Sequence, residues 1–89
     1  METTRFAIKF LDQDVINQFS ALPKHIQKRV KNDFKNKLEV NPILFGKPLQ
    51  HSLKGHRRLR VGDYRVIYRI ELENIIVIIV KVGIRRDIY

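Results

Sequence analysis

Apolar and polar residues alternate from residue 5 to residue 10. Phe6, Ile8 and Phe10 face one way and Arg5, Ala7 and Lys9 the other, the period of a half-buried strand. Asp12 is placed to cap a short helix that carries Val15, Ile16 and Phe19 on one face. Pro23 suits the first turn of a second helix. Its core stripe is Ile26, Val30, Phe34 and Leu38, one residue in every four, and Lys24, Lys28, Arg29, Lys31, Lys35 and Lys37 fill much of the remaining surface. Pro42 biases Asn41 away from helix, so this helix is predicted to end near Val40. The two helices read as an antiparallel hairpin.

Residues 41–55, punctuated by Pro42, Gly46, Pro48 and Gly55, read as loop. Three closely spaced strands follow. The first is Arg57–Val61, and Gly62-Asp63 is a two-residue hairpin turn. The second runs Tyr64–Leu72, with Tyr64, Val66, Tyr68, Ile70 and Leu72 on one face and Arg65, Ile67, Arg69 and Glu71 on the other. Glu73-Asn74 turns the chain into Ile75–Val82, which is apolar on both faces and is therefore expected at the centre of the sheet. The predicted architecture is α+β in the order β-α-α-β-β-β: a helical hairpin packed on a mostly antiparallel four-stranded sheet, forming one domain over residues 1–89.

Composition narrows the function classes. The chain has no cysteine, which removes disulfides, thiolate metal sites and cysteine nucleophiles. Its longest uninterrupted apolar run, Ile75 to Val80, is six residues, against the roughly 20 of a membrane span. The opening residues show no basic and apolar leader pattern, so a cytoplasmic chain without membrane contact is expected. Charge is the strongest signal: 18 Lys and Arg against nine Asp and Glu, a formal net of +9. The imbalance is concentrated late, with ten basic and four acidic residues in 46–89 against eight and five in 1–45. Such a field favours nucleic acid, an anionic membrane or an acidic protein, the plain alternative being a surface charged for solubility.

Arg58 and Arg60 share one strand face, as do Arg65 and Arg69 on the next strand. Whether the two pairs share one face depends on the hairpin register, which the residues leave open. Side by side they would repel and favour an anion between them, and a guanidinium fork suits phosphate. Of the three histidines, His25 lies beside a helical core stripe, whereas His51 and His56 sit in the loop before the arginine strand. Their spacing matches no metal motif, so no metal or cofactor is expected, and His56 is kept as an acid/base candidate. No Ser-His-Asp set, Gly-rich phosphate loop or paired-carboxylate motif is present. A cationic surface with Tyr and His groups can still cleave RNA, because RNA carries its own nucleophile, the 2′-hydroxyl. The protein then only orients that group, neutralises the phosphate and moves protons.

Three runs identify a family: Gly46-Lys47-Pro48-Leu49, Leu59-Arg60-Val61-Gly62-Asp63-Tyr64-Arg65-Val66-Ile67-Tyr68, and Val82-Gly83-Ile84-Arg85-Arg86-Asp87-Ile88-Tyr89. They closely resemble the RelE/ParE toxin superfamily, on its RelE side. They cover the second half of the chain, while the first half matches in its strand–helix–helix pattern. The resemblance implies a metal-independent endoribonuclease of a type II toxin–antitoxin system. It would cleave mRNA in the ribosomal A site and be silenced by a cognate antitoxin protein. By the same resemblance Arg65 contacts the scissile phosphate, Arg85 stabilises the transition state and Tyr89 stacks on a substrate base. Arg58 stands where the family often has a catalytic lysine and His56 where some members have a second. Many members have His where this chain has Ile84, so proton transfer falls to His56 or Tyr89. RNA contacts are expected from Arg60, Arg86, Lys54 and Arg57, and from Lys28, Lys31 and Lys35 on the second helix. Two other readings share the fold: a ParE-like inhibitor of DNA gyrase without nuclease activity, and a non-toxic member that represses its operon with its antitoxin.

Overall fold

A computed structural model describes residues 4–84. The chain begins with β1 (Ala7–Phe10) and continues into α1 (Gln13–Ser20) and α2 (Lys24–Asp33). Asp12 caps α1 as predicted: its carboxylate accepts a hydrogen bond from the Val15 amide at 3.1 Å, satisfying a donor that the first helical turn leaves open. Pro23 stands at the cap position just before α2. Beyond Asp33 the helix widens into a π-turn over Phe34–Leu38, marked by the 2.8 Å bond from the Glu39 amide to the Phe34 carbonyl. The widening has a packing reason. An apolar stripe with a strict spacing of four drifts by about 40° per step on an α-helix of 3.6 residues per turn. The wider turn restores the phase, so Ile26, Val30, Phe34 and Leu38 are all buried.

The segment expected as loop holds structure of its own. Asn41 accepts from the Leu44 amide at 3.1 Å and caps the short α3 (Pro42–Phe45), in which Pro42 takes the first turn. β2 (Lys47–Pro48) and a 3-10 turn over His51–Leu53 follow. The expected Arg57–Val61 strand is β3; β4 covers Tyr64–Glu71 and β5 covers Ile76–Ile84. The sheet therefore has five strands rather than four, in the order β1-β5-β4-β3-β2, with β1 parallel to β5 and the other neighbours antiparallel. β5 is an inner strand, but β4 occupies the centre. A bulge opposite Ile67/Tyr68 inserts Val80 as an extra residue, so Val77 and Ile79 before it and Val82 after it all reach the core. Among the described residues no helix is long and apolar enough to cross a membrane.

α1 packs on β5 and α2 reaches β3, both from one side of the sheet. Val15, Phe19, Ile26, Val30, Leu59, Val66, Tyr68 and Ile79 fill the space between. The Phe10 ring meets Phe19 at 5.6 Å and Phe34 at 6.3 Å between centroids.

Tyr68 ties α3 to this core. It is wholly buried, and its hydroxyl donates to the Pro42 carbonyl at 2.6 Å. From the adjoining ladder position Arg57 Nη2 donates to the Ile43 and Gly46 carbonyls at 2.5 and 2.7 Å. A Cβ on Gly46 would lie 1.7 Å from the Tyr68 hydroxyl oxygen, so only glycine fits there. Tyr68→Phe strands a buried carbonyl and is expected to lower stability by about 1 kcal/mol. Gly46→Ala overpacks the contact and is expected to cost about 1–3 kcal/mol. Urea unfolding midpoints check both, and wild-type midpoints would refute the anchor.

Burial holds the Tyr68 phenol above the usual tyrosine range, with the Arg57 guanidinium opposing. The raised value makes this stabilisation complete below about pH 10. It is lost as pH rises through the folded value. Tyr68→Phe should thus flatten the fall of stability above about pH 10; a curve as steep as wild type would contradict this.

Candidate functional site

The β3–β4 hairpin turns at Gly62, whose φ of +60° is the positive value such a two-residue turn requires. The register that follows pairs Leu59 with Val66 and Val61 with Tyr64, and sends these side chains toward the helices. The alternate pairs, Arg58 with Ile67 and Arg60 with Arg65, point to the opposite face. This settles the question the residues left open: Arg58, Arg60, Arg65 and Arg69 share one face. β2 extends the pattern, because Lys47 pairs with Arg58 and so joins the same face.

Phe45, Lys47, Arg58, Arg60 and Arg65 line a cavity of about 260 Å³ there. Arg65 is its most unusual member. It is 3% exposed, its Nε is buried without a hydrogen-bond partner, and Nη1 reaches the Tyr64 carbonyl only at 3.4 Å. Its ladder partner is another arginine, Arg60, although like charges directly opposite destabilise a sheet. The ion pairs Arg5–Glu39 and Lys37–Asp33 involve no residue of this cavity. A guanidinium desolvated in this way costs several kcal/mol unless an anion joins it. A phosphate has the charge to do so, and its oxygens match the guanidinium forks. Ile67, the ladder partner of Arg58 on this face, is 1% exposed and outside the helix-side core. On the far side of Arg65 the ladder reaches Gly83, whose missing side chain leaves open space among the described residues.

A family model, the ParE toxin of the type II toxin–antitoxin system parDE, matches residues 10–89. The chain belongs to this toxin family, within the RelE/ParE superfamily. Toxin RelG of Mycobacterium tuberculosis is 44% identical over 52 residues, which are 58% of this chain and 60% of the relative. The chain thus spans less than two thirds of that relative's length. The crystal structure of the Mycobacterium tuberculosis toxin–antitoxin complex RelBE2 superposes with a TM-score of 0.84 at 30% identity, covering 94% of this chain and 95% of that one. The isolated E. coli RelE toxin shares the fold, with a TM-score of 0.73 at 18% identity over 89% of this chain and 83% of that one.

In this toxin fold the sequence-predicted site residues divide. Arg58, Arg60 and Arg65 come together. Arg57 points to the helix side and is engaged by backbone carbonyls. His56 lines a separate cavity of about 210 Å³ with Pro48, Gly55, Arg57 and Ile70, its Nδ1 buried without a partner. Lys54 is exposed in the turn before β3. Lys28, Lys31 and Lys35 are exposed along α2 and the π-turn, across the sheet from the arginine cavity, and the Lys31 ammonium lies 5.8 Å from the Phe19 ring centroid. Arg85, Arg86 and Tyr89 lie outside the described residues. Ile84, at the family's common histidine position, pairs with Tyr64 and lines a cavity with Leu22 and Pro23 on the helix side. Sequence reading missed Phe45 and Lys47 as cavity residues. The signal for Lys47 was the Gly46-Lys47-Pro48-Leu49 run, read as loop although it carries a strand.

Because Arg65 is buried with its Nε lacking a hydrogen-bond partner and no carboxylate paired to it among the described residues, removing its charge should not unfold the protein. Arg65→Met is expected to leave stability unchanged or raise it by about 1–2 kcal/mol, measured by urea unfolding without ligand. A loss of 3 kcal/mol or more would mean that the guanidinium is structurally paired.

Proposed function

We propose that this toxin is an endoribonuclease that cleaves mRNA, in the ribosomal A site, by attack of the RNA 2′-hydroxyl on the adjacent phosphate, without a metal ion. The observation that carries the reading is Arg65, a buried guanidinium with an open donor, facing a cavity lined by two further arginines and a lysine. A phosphodiester seated there gains charge-assisted bonds in a water-poor site, where they are strongest. As the 2′-oxygen attacks, negative charge grows on the non-bridging oxygens, and donors fixed in advance stabilise that state more than the ground state. The products are a 2′,3′-cyclic phosphate and a 5′-hydroxyl. Phe45, on the cavity wall and 42% exposed, offers a flat apolar surface for a base. From the family resemblance, Arg85 joins the transition-state clamp and Tyr89 stacks on substrate. Arg60 and Arg86 extend the phosphate track, and Lys28, Lys31 and Lys35 dock on ribosomal RNA. The whole chain acts as one toxin domain in the cytoplasm. A cognate antitoxin is its second partner, supported by the similarity to the RelBE2 toxin–antitoxin complex.

The test is induced expression in a bacterial host with primer extension on a reporter mRNA. Wild type should arrest growth and create new 5′ ends inside translated codons, and co-expression of the neighbouring open reading frame should relieve the arrest. Arg65→Ala should abolish both effects, lowering cleavage at least about 10²-fold. Undiminished cleavage by Arg65→Ala would refute the site. The family model is that of a ParE toxin, which keeps the gyrase reading in view. Arrest with intact messages and inhibited DNA supercoiling would establish that reading instead.

A further inference from the structure

We propose that Lys47 is the general acid of this site, the residue that protonates the departing 5′-oxygen; this rests on the ribonuclease reading above. Arg58 and His56 occupy the positions where the family resemblance places lysines. The register sets Lys47 of β2 directly opposite Arg58 of β3, on the same sheet face. A lysine thus stands one strand away from where it was expected. The same five-residue cavity contains both side chains.

The chemistry of the lining residues singles it out. Cleavage expels an alkoxide from phosphorus, and that oxygen must gain a proton as the bond breaks. Arg58, Arg60 and Arg65 cannot supply it, because a guanidinium keeps its proton in proteins. Phe45 has none to give. Other titratable groups nearby lie outside the cavity: His56 lines a different one, the Tyr68 hydroxyl is bonded to the Pro42 carbonyl, Tyr64 points to the helix side opposite Ile84, and Lys81, opposite Ile67 on the arginine face, is not among the residues that line the cavity. Among the described residues, the Lys47 ammonium is the group in the cavity with a transferable proton.

The 2′-hydroxyl loses its proton to water while its oxygen bonds to phosphorus, the P–O5′ bond breaks, and Nζ of Lys47 passes one proton to O5′. The neutral amine then regains a proton from water. The anchor beneath α3 holds the donor in place: Tyr68 and Arg57 fix the carbonyls of Pro42, Ile43 and Gly46, in the five-residue segment that leads into Lys47.

The experiment compares wild type, Lys47→Arg and Lys47→Ala in single-turnover cleavage of mRNA on programmed ribosomes. Each is assayed on a normal linkage and on one whose 5′-bridging oxygen is sulfur, a leaving group that needs no proton. Lys47→Arg keeps the charge on an exposed side chain. It should lose at least about 10²-fold in rate on the oxygen linkage, and approach wild type on the sulfur linkage. Near-wild-type cleavage of the oxygen linkage by Lys47→Arg would overturn the assignment. Equal losses on both linkages would do the same, showing that Lys47 binds or positions rather than donates. Absence of cleavage by wild type on either linkage would overturn the ribonuclease reading itself, and the assignment with it.

Discussion

Gly62 turns β3 into β4 so that Leu59 meets Val66 and Arg60 meets Arg65, and most of what distinguishes this protein depends on that register. The helix side of the sheet demands apolar residues, and the hairpin has one register that delivers them. The same choice forces the arginines into apposition on the other face, since shifting a strand by one residue exchanges its two faces. The burial of Leu59, Val61 and Val66 therefore stabilises a cationic cavity that repulsion alone would disperse. Stability and function are coupled through strand parity: the core holds together what the site needs and would otherwise lose.

Much of this was legible beforehand because it rests on periodicity. The two-residue alternation in β4 and the Gly62-Asp63 turn gave the hairpin its limits, and the face assignments within β4 agree with the structure. The Asp12 cap and the four-residue stripe from Ile26 to Leu38 likewise identified the helices. Local rules left three things open. Register is a tertiary property, so the meeting of Arg58 and Arg60 with Arg65 could be posed as a question but not answered. α3 and β2 are too short for any periodic signal, and Pro42 marks both the end of one helix and the start of the next. The π-turn at Phe34–Leu38 arises from a conflict between the spacing of the stripe and the pitch of the helix, visible only once the sheet fixes which face must be buried.

The site was partly legible for a related reason. Arginine clustering and the family motif named Arg58, Arg60 and Arg65, and the fold brings them together. Adjacency in sequence misled for Arg57 and His56. Arg57 neighbours Arg58, but a strand sends successive side chains to opposite faces, and there Arg57 serves as an internal tie to α3; His56 lies before β3 begins and lines a separate cavity. Lys47 stood in a quoted motif but was read as loop, because its place in the site depends on a two-residue strand pairing with Arg58.

The attachment of α3 has a consequence for how such a toxin can diversify. Tyr68 and Arg57 grip the segment by the main-chain oxygens of Pro42, Ile43 and Gly46. Main-chain oxygens are common to every residue type, so this grip does not depend on the side chains at 43, 44 and 45, all of which are exposed. Apart from Gly46, where a side chain would collide with Tyr68, this stretch can exchange residues without disturbing the fold. One wall of the cavity is thus free to evolve while its floor, built from core-locked strands, is not. A lineage can reshape the mouth of the arginine cavity through substitutions at a single exposed turn, leaving the guanidinium cluster intact.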